Sequence, residues 1–81
     1  MTFTVLLFAT LKDKIGKPKI ELALDEPLSV KELMAFIFSQ FPQLTPFENR
    51  ILVAVNQKYA SPAQIVFHAD EIALFPPVSG G

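Results

Sequence analysis

Cysteine is absent from this 81-residue sequence, and histidine occurs once, as His68. The absence of thiols excludes disulfides, cysteine–zinc sites and thiol catalysis. A zinc site needs three or four ligands, so His68 beside Asp70 and Glu71 is more typical of a solvated turn than of a metal or acid–base site. The sequence therefore offers no nucleophile paired with a base that would support covalent catalysis.

Glycine and clustered basic residues are also scarce. Two of the three glycines are Gly80 and Gly81, so a glycine-rich phosphate loop is excluded. The seven lysines and arginines are scattered among eight acidic residues, which argues against a nucleic-acid-binding or membrane-surface protein. No apolar run reaches the length of a membrane span, and the N-terminus lacks the basic residues of a signal peptide. We expect a soluble, cytoplasmic protein.

Hydrophobic residues are abundant and make up 51% of the composition. This content exceeds that of a disordered chain and is enough for one small core. We expect one domain at residues 1–75, followed by an extended C-terminal segment at residues 76–81, which we call the tail.

Side-chain patterns predict the element order of the domain. The main helix begins at Ser29, because Ser29 and Glu32 fit a capping box, and it ends before Pro42. A shorter helical segment is predicted at residues 10–15. Strands are predicted at residues 2–9, 19–24, 51–55, 58–60 and 71–75. This order predicts an α+β fold of the β-grasp type, in which one main amphipathic helix covers a mixed sheet of four or five strands.

The first and last strands are apolar on both faces, which predicts that they are parallel neighbours at the centre of the sheet. Alternate residues of these strands would face the helix, and the others would lie on the open face of the sheet. The predicted open-face residues are Leu6, Phe8, Ala73 and Phe75. We interpret them as a docking surface, because contiguous exposed apolar area usually marks an interface. The alternative is a second, minor core beneath a loop.

The tail combines residues that favour an extended backbone with residues that have small side chains, so it could enter the active site of another protein. Pro76 and Pro77 favour an extended conformation and lower the entropy lost on insertion. Gly80 and Gly81 have no Cβ and can pass through a slot too narrow for other residues. Six extended residues reach roughly 20 Å from the domain. We expect the chain to end at Gly81, with its carboxylate as the reactive group; the alternative is a frayed chain end.

The segment from Asp70 to Gly81, DEIALFPPVSGG, resembles the C-terminal signature of the small subunit of molybdopterin synthase, the MoaD type. Two further segments agree with that family. Residues 5–9, VLLFA, are similar to its first strand, and residues 54–57, AVNQ, are similar to its middle Ala-Val-Asn element. The chain departs from the family in having Lys12 where arginine is common, and His68-Ala69-Asp70 where Asp-Gly-Asp is usual.

The resemblance implies a ubiquitin-like fold and a sulfur carrier. In this family an adenylyltransferase that resembles ubiquitin-activating enzymes uses ATP to adenylate the terminal glycine, here Gly81, which then becomes a thiocarboxylate. The large synthase subunit, with which the carrier forms a heterotetramer, uses that sulfur to build molybdopterin from cyclic pyranopterin monophosphate. The carrier itself binds no cofactor. Gly80 keeps the tail narrow and makes backbone contacts. By position, Phe8 and Phe75 match family residues that contact partners. Together with the open-face and tail residues, the predicted partner-binding residues are Leu6, Phe8, Lys12, Ala73, Phe75, Pro76, Pro77, Val78 and Ser79.

Three alternative functions share the same fold and tail. The first is a sulfur carrier for another product, such as thiamine, cysteine or thiolated tRNA. The second is a ubiquitin-like modifier that is conjugated to lysines. The third is an interaction module whose tail is inert.

Overall fold

A computed structural model describes residues 1–77 of the chain; residues 78–81 lie outside the described part. The two α-helices are α1 (Ala9–Ile15) and α2 (Val30–Gln40), and a 3-10 helix spans Pro42–Phe47. The strands are β1 (Thr2–Leu7), β2 (Lys19–Ala23), β3 (Leu28–Ser29), β4 (Leu52–Val55), β5 (Lys58–Tyr59), β6 (Ile65–Val66) and β7 (Ile72–Phe75).

Five of the strands form one mixed sheet in the order β2-β1-β7-β4-β5. The central strands β1 and β7 are parallel, and β1 pairs with β2 as an antiparallel hairpin. Strand β4 runs antiparallel to both β7 and β5. The prediction of a β-grasp fold with the first and last strands adjacent at its centre is therefore confirmed.

The main core lies between this sheet and α2. Phe3 and Val5 of β1 and Ile72 and Leu74 of β7 are fully buried, and they belong to one hydrophobic cluster with Leu33 of α2. We call this side of the sheet the closed face and the other side the open face. The closed face supplies most of the apolar burial that stabilises so small a domain.

Helix α2 begins with the predicted capping box. The Ser29 hydroxyl accepts a hydrogen bond from the Glu32 N–H at 3.1 Å, and the Ser29 N–H donates to Glu32 Oε1 at 2.9 Å. Both bonds satisfy backbone donors that a helix start leaves unpaired. The helix ends at Gln40, two residues before Pro42. Phe36, which lies nearly opposite the apolar stripe of this helix in sequence, is partly buried and packs against the core.

Helix α1 follows β1 almost directly. It covers the predicted helical segment at residues 10–15 and also Ala9, which the pattern predicts as the end of the first strand. It is seven residues long and buries Leu11. Gly16 ends the helix with φ of +84°, and its N–H donates to the carbonyl of Lys12. This left-handed conformation is easy for glycine and strained for other residues, which explains the glycine at this stop.

Two features of the fold differ from the sequence-based expectation. Strands β3 and β6 form a separate two-stranded antiparallel sheet. The segment between the main helix and the strand predicted at residues 51–55, for which no element is predicted, contains the 3-10 helix Pro42–Phe47, whose Leu44 is fully buried. Two-residue strands and a single irregular helix produce no periodicity over a useful window, so the pattern could not predict them.

Within residues 1–77, no helix combines the length and apolarity that a membrane crossing requires. The same part of the chain contains no group of three or more His, Cys, Asp or Glu side chains placed to hold a metal ion.

Candidate functional site: the open face of the sheet

The open face is organised by one row of residues that crosses all five strands. Strand register pairs Lys19 with Leu6, Leu6 with Ala73, Ala73 with Ala54, and Ala54 with Tyr59. Directly paired residues lie on the same face of a sheet, so all five side chains project to the open side. The middle of this row is therefore small and apolar, with larger side chains at both ends.

Two aromatic rings lie beside this row, toward the end of β7 that leads into the tail. The rings of Phe8 and Phe75 are stacked, with centroids 4.7 Å apart and planes 8° from parallel. The N–H of Phe8 also donates to the carbonyl of Leu74 at 3.3 Å, which continues the β1–β7 pairing by one residue. An aromatic pair of this kind contributes about 0.5–1.5 kcal/mol beyond its buried area. The stack therefore stabilises the part of the open face that lies next to the start of the tail.

A concavity lies between the stacked rings and the β5 edge. Its floor contains Ala54 and Ala73, which are directly paired across β4 and β7. The residues that line it are Phe8, Ala54, Gln57, Tyr59, Glu71, Ala73 and Phe75. Two methyl side chains at adjacent central positions leave space that larger residues would fill, so the concavity follows from the sequence at these two positions.

The polar end of the concavity is held by a tight turn and by Asn56. Asn56 and Gln57 have φ of 53° and 70°, which is the geometry of a two-residue hairpin turn between β4 and β5. The Asn56 side chain accepts from the N–H of Glu71 at 2.9 Å and donates to Asp70 Oδ1 at 3.0 Å. Asp70 in turn accepts from the N–H of Phe67 at 2.8 Å. The network ties the β4–β5 turn to the start of β7.

The structure brings together four of the predicted partner-binding residues. Leu6 and Phe75 are half-buried on the open face, Ala73 lies in the floor of the concavity, and Phe8 is 41% exposed. This arrangement favours the docking interpretation over a second core beneath a loop. No described residue covers Phe8 enough to bury it.

The remaining predicted residues are distributed differently. Lys12 is exposed on α1 and does not line the concavity. Pro76 and Pro77 follow β7 and are half-buried. His68 lies exposed in the turn before β7. Val78, Ser79, Gly80 and Gly81 lie outside the described residues, so their roles stay predictions.

Sequence reasoning missed four residues that line the concavity, namely Ala54, Gln57, Tyr59 and Glu71. A usable signal existed for Ala54, since it alternates with the buried Val53 and Val55 on β4. A signal existed for Glu71 as well, since strand parity puts it on the same face as Ala73 and Phe75. Gln57 and Tyr59 depend on which strand lies next to β7, and no local pattern carries that information.

Comparison with known proteins decides the family. The model of the ThiS family matches residues 5–81 of the chain. The chain belongs to the ThiS family. This membership agrees with the resemblance of the strand and tail motifs to ubiquitin-like sulfur carriers, and that prediction is confirmed.

Curated relatives of this ThiS-family chain are similar over nearly their full length. The molybdopterin synthase sulfur carrier subunit of Dictyostelium discoideum is 43% identical over 98% of this chain and 95% of its own. The protein of the same name from Escherichia coli (strain K12) is 35% identical over 95% and 96%, respectively.

Solved structures agree on the fold. The small archaeal modifier protein SAMP1 of Haloferax volcanii matches with a TM-score of 0.84 and 27% identity over the whole of both chains. A chain from the complex of subunits 1 and 2 of molybdopterin-converting factor from Helicobacter pylori matches with a TM-score of 0.69 over the whole of both chains. At 24% identity, this superposition shows that the two chains share a fold.

Proposed function

We propose that this protein is the sulfur carrier subunit of a molybdopterin synthase. The observation that carries the proposal is the name shared by curated relatives that are 32–43% identical over nearly all of this chain. The arrangement of the described residues agrees with it. A carrier needs a stable domain, a docking face and an accessible acyl group, and it needs no catalytic side chains.

We place the chemistry at the carboxylate of Gly81. A carboxylate is a poor electrophile, so it requires a leaving group before sulfur can enter. In the site of an activating enzyme, a Gly81 oxygen attacks the α-phosphorus of ATP and pyrophosphate leaves. Hydrosulfide from the sulfur source then attacks the acyl carbon, AMP leaves with the oxygen that bound it, and a thiocarboxylate remains after loss of the proton. The enzymes supply the orientation and the oxyanion stabilisation for these steps.

The open face supplies the recognition surface in this scheme. We assign it to the large synthase subunit, which would seat against the Phe8–Phe75 stack while the tail reaches the site where cyclic pyranopterin monophosphate is converted. The Helicobacter pylori neighbour comes from a complex of subunits 1 and 2, which supports an assembly of this kind. Because this face lies next to the start of the tail, a partner bound there would be placed to receive the sulfur.

The direct test is intact-mass spectrometry after incubation with the activating enzyme, ATP and a sulfur source. The expected result is the mass increase for replacement of one oxygen by sulfur, localised to Gly81. Deletion of Gly80 and Gly81 should abolish the increase and leave the thermal unfolding curve unchanged. A full-length protein that never acquires sulfur, with an activating enzyme that thiolates a known carrier, contradicts the proposal.

A second candidate function is that of a protein modifier, favoured by the match to small archaeal modifier protein 1 at 27% identity. Both functions begin with activation of the terminal glycine, and they differ in the acceptor. Conjugates that link Gly81 to lysines of other proteins, found by mass spectrometry of cell extract, would indicate a modifier. Rescue of a molybdenum-cofactor auxotroph indicates the synthase subunit, and rescue of a thiamine auxotroph alone would indicate a carrier for thiamine.

A further inference from the structure

The concavity on the open face combines aromatic walls with a carboxylate. The stacked rings of Phe8 and Phe75 form one wall, and Tyr59, which is 75% exposed, stands at the β5 side. Among the lining residues, all of which lie within the described range 1–77, Glu71 carries the sole formal charge. A purely apolar partner surface would offer the Glu71 carboxylate neither an opposite charge nor a hydrogen-bond donor.

Glu71 is held in place by its backbone. Its N–H donates to Asn56 Oδ1 at 2.9 Å, and its carbonyl accepts from the Asn56 N–H at 2.7 Å. The side chain is exposed and projects to the same face as Ala73 and Phe75, because alternate residues of a strand share a face. A fixed Cα beside an apolar floor keeps the carboxylate within reach of this end of the concavity.

We propose that this concavity receives an arginine side chain of the large synthase subunit. This inference rests on the proposed function and names the chemistry of recognition at the docking face. The aliphatic stem lies over the methyl groups of Ala54 and Ala73, and the guanidinium reaches Glu71 past the aromatic rings.

The chemistry of the lining favours arginine over other occupants. A cation is attracted by the faces of aromatic rings and by the carboxylate together. A guanidinium also stacks on rings and donates two parallel hydrogen bonds to one carboxylate, which an ammonium cannot do. An aliphatic side chain would fill the floor and leave Glu71 partly desolvated and unpaired, which is costly. An acidic side chain would be repelled.

The test compares binding of the purified large subunit to wild-type protein and to Glu71→Gln by calorimetry at low and high salt. Glutamine keeps the shape and removes the charge. We expect an affinity loss of about tenfold or more at low salt, with a weaker dependence of affinity on salt concentration. Glu26→Gln is the matched control, because it changes the net charge equally in an exposed turn and should bind like wild type.

A second measurement does not depend on the large subunit. Nα-acetyl-arginine amide (arginine amide below) and its uncharged analogue Nα-acetyl-citrulline amide (citrulline amide below) are titrated into the labelled protein, and amide resonances are followed by NMR. Arginine amide should shift the resonances of Glu71, Tyr59 and Ala73 in the wild type, with smaller shifts in Glu71→Gln. Citrulline amide should leave them nearly unmoved.

The outcomes separate this inference from the proposed function. If the large subunit binds Glu71→Gln and wild type within twofold at both salt concentrations, the arginine contact is wrong and the docking proposal stands. If the large subunit does not bind wild type at all, the proposed partner is wrong, and the titration alone decides whether the concavity recognises a guanidinium. Equal shifts with both probes overturn that recognition.

Discussion

The two faces of the five-stranded sheet are built from alternate residues of the same strands and differ in what covers them. On the closed face, Phe3 and Val5 of β1 are completely buried within the core that includes α2. On the open face, Leu6 is half-buried and Phe8 is 41% exposed. Residues one position apart therefore have different physical roles.

This division lets one small domain meet two demands. The closed face provides stability through burial, while the open face leaves apolar area exposed, which we propose is for a partner. Substitutions on the two faces should consequently separate unfolding free energy from binding affinity. The predictions that follow use this difference, from the largest expected effect to the smallest.

Phe3→Ala should cause the largest loss of stability, because Phe3 is fully buried on the closed face. Truncation of a buried phenylalanine costs about 3–5 kcal/mol, from lost burial and from the cavity that remains. Urea unfolding followed by circular dichroism measures the change. A loss below about 1 kcal/mol would mean that the closed face does not carry the stability of the domain.

Phe8→Ala should change stability little and weaken binding strongly. The loss of unfolding free energy should be within about 1.5 kcal/mol, the range of an aromatic pair at a partly exposed position. Affinity for the large subunit should fall by about thirtyfold, as expected for an aromatic anchor of an interface.

The matched control for Phe8→Ala is Phe67→Ala, since Phe67 is 51% exposed and does not line the concavity. This variant should bind the large subunit like wild type. Equal affinity losses in the two variants would contradict the assignment of docking to the open face.

Ser29→Ala tests how much the capping box stabilises α2, the helix that covers the closed face. The substitution removes the hydroxyl that accepts the Glu32 N–H and should lower the unfolding free energy by about 1 kcal/mol. Ser39→Ala in the same helix is the control. It removes an exposed hydrogen bond from the Ser39 hydroxyl to the Phe36 carbonyl at 3.0 Å, which water can replace, and should have little effect or stabilise slightly, because alanine is the better helix former. Thermal or urea unfolding of the two variants distinguishes a cap effect from helix propensity.

Glu32→Gln should give the smallest effect, and that effect should depend on pH. Hydrogen bonds from the Ser29 backbone N–H and from its hydroxyl lower the pKa of Glu32. A carboxyl with a lowered pKa stabilises the folded state above its unfolded pKa, and the contribution is lost as pH falls through the folded value. The difference in unfolding free energy between wild type and Glu32→Gln should therefore be largest near neutral pH and shrink on acidification. A difference that grows with acidification would contradict this account.

Much of the fold could be predicted because its signals are local. The capping box at Ser29, the stop at Gly16 and the alternation along β1 each lie within a few residues, and the structure has all three. The two-stranded sheet of β3 and β6 was missed because its strands are two residues long and far apart in sequence, with Leu28 paired to Val66 and Ser29 to Ile65.

The candidate site divides in the same way. Phe8 and Phe75 could be assigned to one face from strand parity, once β1 and β7 are taken as neighbours. Tyr59 could not be assigned, because its place in the wall depends on the pairing of β5 with β4 and of β4 with β7.

The sequence by itself determined the alternation that gives the sheet two apolar faces, the start and end of α2, and the terminal motif by which the family is recognised. The tertiary structure alone decided that Ala54 lies opposite Ala73, and that Tyr59 and Glu71 border the same concavity as the stacked rings. The physical reason is that side-chain direction follows from local backbone geometry, whereas register between strands distant in sequence is set by the packing of the whole core.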